Sequence, residues 1–263
     1  MELDPNPKGG LKHLSNGHSR HDQNRHVQKM INWAHRGASG HRRENTIVAF
    51  RLAVEMGADG IECDIRETRD GHLVIFHDAT LKRIFNQSRA IAASSLAYLQ
   101  KMGMQKGGAL CQEEEGIPEL SQLFKTIKPP CRLNLEIKKA TPAILLDQIY
   151  RHHVQERVLL SSFDGAVLSQ IRSLDSKIAI GYLIDKEVTT EKVETAKKMN
   201  ARSVHLDMKY VKQVEVERLH GNEFEIYSYT VNDLESMAQL IKMGVDGLFT
   251  NYPDRLTRLL CPS

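Results

Sequence analysis

Cysteine is scarce in this sequence, and its few cysteines do not lie at the spacing of a metal or redox motif. The 263-residue chain has four cysteines and no Cys-x-x-Cys pair. This pattern argues against a disulfide framework and is typical of a reducing compartment. We therefore expect a cytoplasmic protein.

Long hydrophobic runs are also missing. No apolar run approaches the roughly 20 residues that span a bilayer, and the first residues lack the apolar core of a signal peptide. Residues 1–30 are polar, with almost no apolar residue before Val27. Such a segment cannot bury enough surface to offset the entropy lost on ordering. We expect a disordered polar leader over 1–30 and no stable membrane insertion.

The chain has no large excess of either charge. It contains 36 Lys and Arg residues against 33 Asp and Glu residues, a net charge of +3, of which residues 1–30 contribute +2. A nucleic-acid surface needs clustered cations. The near-neutral body therefore argues against a nucleic-acid partner.

What the sequence does contain is a regular alternation of apolar runs and helix-like segments from residue 31 onward. The predicted barrel strands are 31–36, 59–65, 132–138, 157–162, 177–183, 202–207, 224–230 and 246–250. Most are followed by a helical pattern, and eight such units predict an α/β fold, the (β/α)8 TIM barrel. A doubly wound open sheet would usually carry Gly-x-Gly-x-x-Gly after its first strand, and this motif is absent.

Two segments interrupt the alternation. The turn at 68–71 predicts a hairpin with a strand at 73–76, which pairs Thr68 with Leu73 and folds His77 back toward the preceding strand. Residues 80–118 predict a small inserted subdomain after the second barrel strand, within a barrel domain that covers 31–260.

Acidic residues alternate within one of these apolar runs. In Ile61-Glu-Cys-Asp-Ile65, strand geometry turns Glu62 and Asp64 to one face and Cys63 to the other, toward the helices. Two adjacent carboxylates are costly to bury without a cation. The pattern therefore favours a divalent metal over the alternative, a solvent-facing strand edge.

A second strand adds both signs of charge to the same end of the barrel. Asn134, Glu136 and Lys138 alternate with apolar residues. A structural Glu136–Lys138 pair is one interpretation; the other makes Glu136 a third oxygen donor for Mg²⁺ or Ca²⁺. Three carboxylates and a divalent cation leave a formal charge of −1. Arg36 and Lys138 would then supply the positive charge that a phosphate-like anion needs.

With these pieces in place, the sequence resembles the glycerophosphodiester phosphodiesterase family. The matching pieces are His35-Arg-Gly37, Glu44-Asn-Thr46, Ala49-Phe50, Gly57-Ala-Asp-Gly-Ile-Glu-Cys-Asp64, Thr68-Arg-Asp-Gly71, Val74 to His77-Asp78, Leu81, Leu135-Glu-Ile-Lys138, Ser162-Phe163, Thr230-Val-Asn232 and Gly244-Val-Asp-Gly-Leu-Phe-Thr250. The resemblance runs from about residue 31 to residue 256 and leaves only the leader outside.

The resemblance implies a role for each of these charged groups. It implies one divalent metal held by Glu62, Asp64 and Glu136, with His35 and His77 as the acid–base pair and phosphate contacts from Arg36 and Lys138. In supporting positions we place Glu44 and Asn45, which brace the first loop and cap the helix near 46–56, together with Ser162 and the pocket wall Tyr229.

The implied reaction is hydrolysis of a glycerophosphodiester to sn-glycerol 3-phosphate and an alcohol. The substrate would be a small molecule. Two alternatives remain: a lysophospholipase D acting on single-chain lipids, and a barrel that binds phosphate without catalysis. One departure from the family pattern concerns charge, because Asn251 stands where the family usually has Asp. A second makes an aromatic residue smaller, because Tyr229 replaces a frequent Trp.

Overall fold

The computed structural model describes residues 30–103, 105–106, 109–110 and 116–261. Except for Met30, the predicted leader lies outside the described residues, as do several positions of the predicted inserted subdomain. The strands are β1 (Ile31–His35), β2 (Gly60–Glu67), β3 (Leu73–Ile75), β4 (Gln105–Lys106), β5 (Ala109–Leu110), β6 (Arg132–Lys139), β7 (Val158–Ser162), β8 (Ala179–Ile184), β9 (Ser203–Asp207), β10 (Glu225–Tyr229) and β11 (Gly247–Thr250). The α-helices are α1 (Ile47–Glu55), α2 (Lys82–Phe85), α3 (Leu96–Gly103), α4 (Leu120–Thr126), α5 (Pro142–Arg151), α6 (Gly165–Leu174), α7 (Thr190–Lys198), α8 (Gln213–His220), α9 (Leu234–Met243) and α10 (Pro253–Leu260).

Eight parallel strands close into a barrel. Their order around it is β1, β2, β6, β7, β8, β9, β10 and β11, and β1 pairs with both β2 and β11. Helices alternate with the strands, so the predicted TIM barrel is confirmed. One helix was not predicted from the sequence: α10 begins at Pro253, a residue suited to a first helical position. We call the end where the strands finish the mouth.

The strands separate two kinds of interior, because alternate side chains point to opposite faces. The outer layer is the core between strands and helices; on β2 and β6 it contains Ile61, Cys63, Ile65, Leu133, Leu135 and Ile137. The lumen is the inside of the barrel, and its closed end is packed with Ile31, Trp33, Leu159, Tyr227 and Phe249. Cys63 is fully buried in the outer layer, as predicted.

The hairpin after β2 has a different register from the predicted one. Glu67 lies opposite Leu73, so the predicted pairing of Thr68 with Leu73 is wrong by one residue. The cause is a three-residue loop in which Gly71 adopts a φ of +79°, a conformation that glycine accepts without a steric cost. His77 lies beyond the end of β3 and reaches the mouth from there.

The N-cap of α1 also differs from the prediction. Thr46 has an extended backbone, and its Oγ1 accepts a hydrogen bond from the backbone N of Ala49 at 3.3 Å. Asn45, the predicted cap, has a φ of +58°. An N-cap residue normally has an extended backbone, so Asn45 cannot fill that position.

The described part of residues 80–118 packs with β3 and the residue after it in a small apolar cluster. The cluster comprises Val74, Phe76, Leu81, Ile91, Leu99 and Ile117. The described helices are all too short or too polar for a membrane crossing.

Candidate active site at the barrel mouth

The mouth contains a cavity of about 250 Å³. Charged residues from β1, β2 and β6 line one side, and mostly apolar residues from β7 to β11 line the other. The lining residues are His35, Arg36, Glu62, His77, Asn134, Glu136, Lys138, Phe163, Leu183, His205, Tyr229, Thr230 and Phe249. A larger hollow of about 690 Å³ elsewhere on the molecule contains none of the predicted site residues.

Three carboxylates meet beside this cavity. Glu136 on β6 lies opposite Asp64 on β2, and Glu62 shares the face of Asp64. One oxygen from each acid lies within 4.8 Å of the others, and all three residues are buried. Burial, together with the charges of Asp64 and Glu136, raises the pKa of Glu62 well above its usual value. Such a cluster needs positive charge to remain ionised.

Arg36 and Lys138 supply part of that charge. The Nε atom of Arg36 lies 3.2 Å from Asp64 Oδ2, and the Nζ atom of Lys138 lies 2.5 Å from Glu136 Oε1 and 3.4 Å from Asp64 Oδ1. Burial opposes the charge on Lys138, but Asp64 and Glu136 outweigh it and raise the pKa of the ammonium. The three acids and two cations leave a formal charge of −1.

The backbone of Arg36 also takes part in the site. Its N–H donates to Glu62 Oε2 at 2.8 Å, and its φ is +56°. A left-handed conformation costs a residue with a Cβ about 1–2 kcal/mol. This conformation aims the N–H at the carboxylate, and thus links β1 to the acidic cluster.

The donor set fits a hard divalent cation. Glu62 Oε1 and Asp64 Oδ1 are buried without a hydrogen-bond partner among the described residues. Leaving a buried acceptor unpaired is costly, and carboxylate oxygens are the preferred ligands of Mg²⁺ and Ca²⁺. With such a cation, the local formal charge would change from −1 to +1, which suits an anionic substrate.

His35 is held by an amide at the end of β11. Its Nδ1 lies 2.7 Å from Asn251 Oδ1, which also accepts a hydrogen bond from Ser39 Oγ at 3.0 Å. Because the amide oxygen accepts from Nδ1, Nε2 is the nitrogen available to a ligand. Burial and the neighbouring charge of Arg36 lower the pKa of His35 to about 4. Asn251 therefore keeps the acceptor that an Asp would offer but not the negative charge.

His77 is held by a carboxylate instead. Its Nδ1 lies 2.6 Å from Asp78 Oδ1. Burial opposes ionisation of Asp78, but hydrogen bonds from Arg83 and His77 outweigh it and lower the pKa of this carboxyl. An ionised Asp78 accepts from Nδ1, so here too Nε2 is available to a ligand.

The other predicted residues lie at different distances from the cavity. Asn45 Nδ2 donates to Asp64 Oδ2 at 2.7 Å, and Glu44 Oε1 accepts from Arg36 at 3.1 Å. Tyr229 forms part of the cavity wall, and its hydroxyl donates to the Ile184 carbonyl at 2.9 Å. Ser162 is buried and bonded to the backbone, and it does not line the cavity.

Several lining residues were not assigned to the site from sequence. Phe163, Leu183 and Phe249 form an apolar wall, but an apolar residue in a strand gives no sign of whether it faces the lumen. Asn134 could have been assigned, because it alternates with Glu136. His205 on β9 also lines the cavity; burial lowers its pKa to about 3, and its Nε2 lies 2.8 Å from Ser203 Oγ.

Comparisons with known proteins agree with this geometry. The model of the glycerophosphoryl diester phosphodiesterase family matches residues 35–255. A glycerophosphodiester phosphodiesterase of Caldanaerobacter subterraneus is 35% identical over 236 residues, which cover 86% of this chain and 96% of the relative.

Two solved structures extend the comparison to the fold. An Oleispira antarctica phosphodiesterase in complex with the product sn-glycerol-3-phosphate has a TM-score of 0.78 and 26% identity, and the match covers 88% of this chain and 96% of the other. A glycerophosphodiester phosphodiesterase from Thermotoga maritima has a TM-score of 0.73 and 26% identity, with 87% and 98% covered.

Proposed function

Because the chain belongs to the glycerophosphoryl diester phosphodiesterase family and is an enzyme of that activity, we propose that it uses one divalent cation and two histidines to release sn-glycerol 3-phosphate and an alcohol. The observation that carries the proposal is the buried trio Glu62, Asp64 and Glu136 beside the cations Arg36 and Lys138. Two of its oxygens have no hydrogen-bond partner among the described residues. The product bound by the Oleispira relative supports the same product here.

Charge neutralisation is the first requirement of the reaction, because a phosphodiester anion repels nucleophiles. Arg36 and Lys138 bind the phosphate and compensate the charge that grows on its oxygens in the transition state. A divalent cation held by Glu62, Asp64 and Glu136, either Mg²⁺ or Ca²⁺, would supply Lewis-acid stabilisation at the same oxygens.

Proton transfer is the second requirement, and the different partners of the two histidines give each ring a different role in it. A pKa of about 4 leaves His35 neutral at pH 7, so its Nε2 accepts the proton of the nucleophile. Asp78 stabilises the positive charge of a protonated His77 ring. His77 therefore donates a proton to the departing alcohol.

Two nucleophiles are compatible with this arrangement. Water gives sn-glycerol 3-phosphate directly, whereas the neighbouring hydroxyl of the glycerol gives a cyclic phosphate first. Phosphorus NMR during turnover distinguishes them, because a cyclic phosphate has its own resonance and accumulates only on the second route.

The size of the substrate is the point on which a lysophospholipase D would differ. A single-chain lipid needs an apolar surface beside the mouth. Ile91 and Leu99 of the segment 80–118 are instead buried in a cluster with β3, and no large hydrophobic side chain of its described residues is exposed. The apolar surface at the mouth is thus confined to the cavity wall, where Phe163 is 41% exposed, and we propose a small head group. Faster turnover of lysophosphatidylcholine than of glycerophosphocholine would overturn the preference.

A diesterase assay with metal control tests the proposal as a whole. We expect glycerophosphocholine to be hydrolysed, the activity to disappear in chelator, and Mg²⁺ or Ca²⁺ to restore it. Full activity in excess chelator, after dialysis against it, would contradict the metal assignment. Comparing the two add-backs at equal concentration identifies the effective cation.

A further inference from the structure

Arg83 holds two carboxylates at once, although it lies outside the cavity. It belongs to α2, in the inserted segment. Its Nε and Nη2 donate to Asp78 Oδ2 at 2.7 Å and Oδ1 at 3.2 Å. Its Nη1 and Nη2 donate to Glu44 Oε2 at 2.9 Å and Oε1 at 2.6 Å. A single guanidinium therefore fixes both oxygens of each acid.

Each of these carboxylates in turn holds a residue that lines the cavity. Asp78 Oδ1 lies 2.6 Å from His77 Nδ1, and Glu44 Oε1 lies 3.1 Å from Arg36 Nη1. Five side chains thus form one continuous chain of hydrogen bonds. It joins the proposed proton donor to the proposed phosphate ligand by way of Arg83.

We propose that Arg83 is a positioning residue, which orients the His77 ring through Asp78 and the Arg36 guanidinium through Glu44. The planar fork of arginine can donate to two carboxylates in fixed directions, whereas the compact ammonium of lysine cannot. The inserted segment thereby takes part in the reaction without contacting the substrate.

The expected effect is on rate more than on stability. The Arg83 side chain is 46% exposed, and ion pairs that water can reach contribute little to folding. Groups that orient a reacting side chain typically change activity ten- to a hundredfold when removed. A fall in kcat/KM without a matching fall in Tm is therefore the signature of this role.

Arg89 offers a matched control in the same segment. Its guanidinium donates to Ser94 Oγ and to the Ala93 carbonyl, and it stacks on Tyr98 at 4.5 Å. None of these partners lines the cavity. Arg89→Met therefore removes an arginine of similar surroundings that has no link to the mouth.

The test compares kcat, KM and Tm of Arg83→Met, Arg83→Lys and Arg89→Met on glycerophosphocholine. We expect Arg83→Met to lower kcat/KM about ten- to a hundredfold, Arg83→Lys to lie between it and wild type, and Arg89→Met to change it less than about twofold. Equal kcat/KM for Arg83→Met and Arg89→Met would overturn the proposal.

Double variants separate the path from Arg83 through Asp78 to His77 from the path through Glu44 to Arg36. Asp78→Asn should lower kcat with little change in KM, through His77, whereas Glu44→Gln should raise KM as well as lower kcat, through Arg36. Adding Arg83→Met to either should cost less than the product of the single effects, because the residues act as one unit. Fully multiplicative losses in both pairs would mean that Arg83 acts elsewhere.

This inference rests on the proposed function, and a second readout keeps the two separable. Long-range proton–nitrogen NMR of the imidazoles, with the His77 signals identified by their loss in His77→Gln, reports which ring nitrogen carries the proton. In the neutral form of the ring, which has lost the Nε2 proton that the acid role uses, we expect the remaining proton on Nδ1 in the wild type and a mixture of the two tautomers in Arg83→Met. No turnover by the wild type would refute the proposed function, whereas an unchanged His77 spectrum in Arg83→Met would refute the positioning role.

Discussion

The outer layer and the lumen are made from alternate residues of the same strands, yet they have opposite properties. On β6, Leu135 is fully buried among aliphatic side chains, while Glu136, the next residue, lies among other charges. On β2 and β6 the outer layer consists of apolar side chains. The lumen holds polar atoms without a hydrogen-bond partner among the described residues, including Asn134 Oδ1 and His205 Nδ1. This difference indicates that one face of the sheet provides stability and the other provides the chemistry.

The largest expected effect comes from Glu136→Gln. The loss of one carboxylate from the trio should lower kcat/KM by about a thousandfold, because a catalytic cation contributes several kcal/mol and each 1.4 kcal/mol is a factor of ten. Stability in chelator should fall little or rise, because one of three mutually repelling charges is gone. Steady-state kinetics measures the change in kcat/KM, and urea unfolding in chelator measures the change in stability. A strongly destabilised variant would contradict the division between the two faces.

The next effect concerns the two histidines of the mouth. His35→Ala and His77→Ala should each lower kcat/KM on glycerophosphocholine about a hundredfold or more. A nitrophenolate leaves without a proton, so a nitrophenyl phosphodiester should recover much of the rate of His77→Ala and little of that of His35→Ala. The reverse pattern would exchange their proposed roles.

Metal removal should affect stability to a smaller degree. A cation at a hundred times its Kd stabilises the fold by about 2.7 kcal/mol, and each kcal/mol moves the Tm of a domain this size by about 2–4 °C. Chelator should therefore lower the Tm of the wild type by several degrees and leave that of Glu136→Gln unchanged. Calorimetric scans with and without Mg²⁺ or Ca²⁺ measure this. Equal shifts in both proteins would place the cation elsewhere.

The smallest effect on activity should come from Leu135→Ala, the outer-layer neighbour of Glu136. Truncating a buried leucine costs about 2–5 kcal/mol of stability, but kcat/KM per folded molecule should remain near that of the wild type. Urea unfolding and kinetics well below the Tm measure the two quantities. An intrinsic loss of activity comparable to that of Glu136→Gln would show that the two faces are not independent.

The two faces also differ in how well the sequence predicts them. The alternation of Glu62 and Asp64 within an apolar run reveals both the strand and the acidic face, because a period of two is visible in the sequence. The register of β3 was missed, because it depends on the conformation of Gly71 rather than on any apolar pattern. Arg83 was missed because an arginine in a four-residue helix resembles any solvated cation.

Tertiary contacts explain the remaining differences. Asn45 looks like a helix cap in sequence, but the buried Asp64 carboxylate binds its amide, and Thr46 takes the cap. Leu183 and Leu135 are both leucines in strands, although one lines the cavity and the other packs against helices. Only closure of the barrel decides between these environments.

The aromatic packing at the closed end of the lumen determines where the substrate enters and where the products leave. Trp33, Tyr227 and Phe249 are at most 2% exposed, and a Cβ on Gly60 would lie 2.3 Å from the Trp33 ring, so these rings are tightly packed at the closed end of the lumen. The lumen is therefore accessible from the mouth and closed at its other end. Both products must depart through the opening by which the substrate arrived, and whichever product lingers there excludes the next substrate.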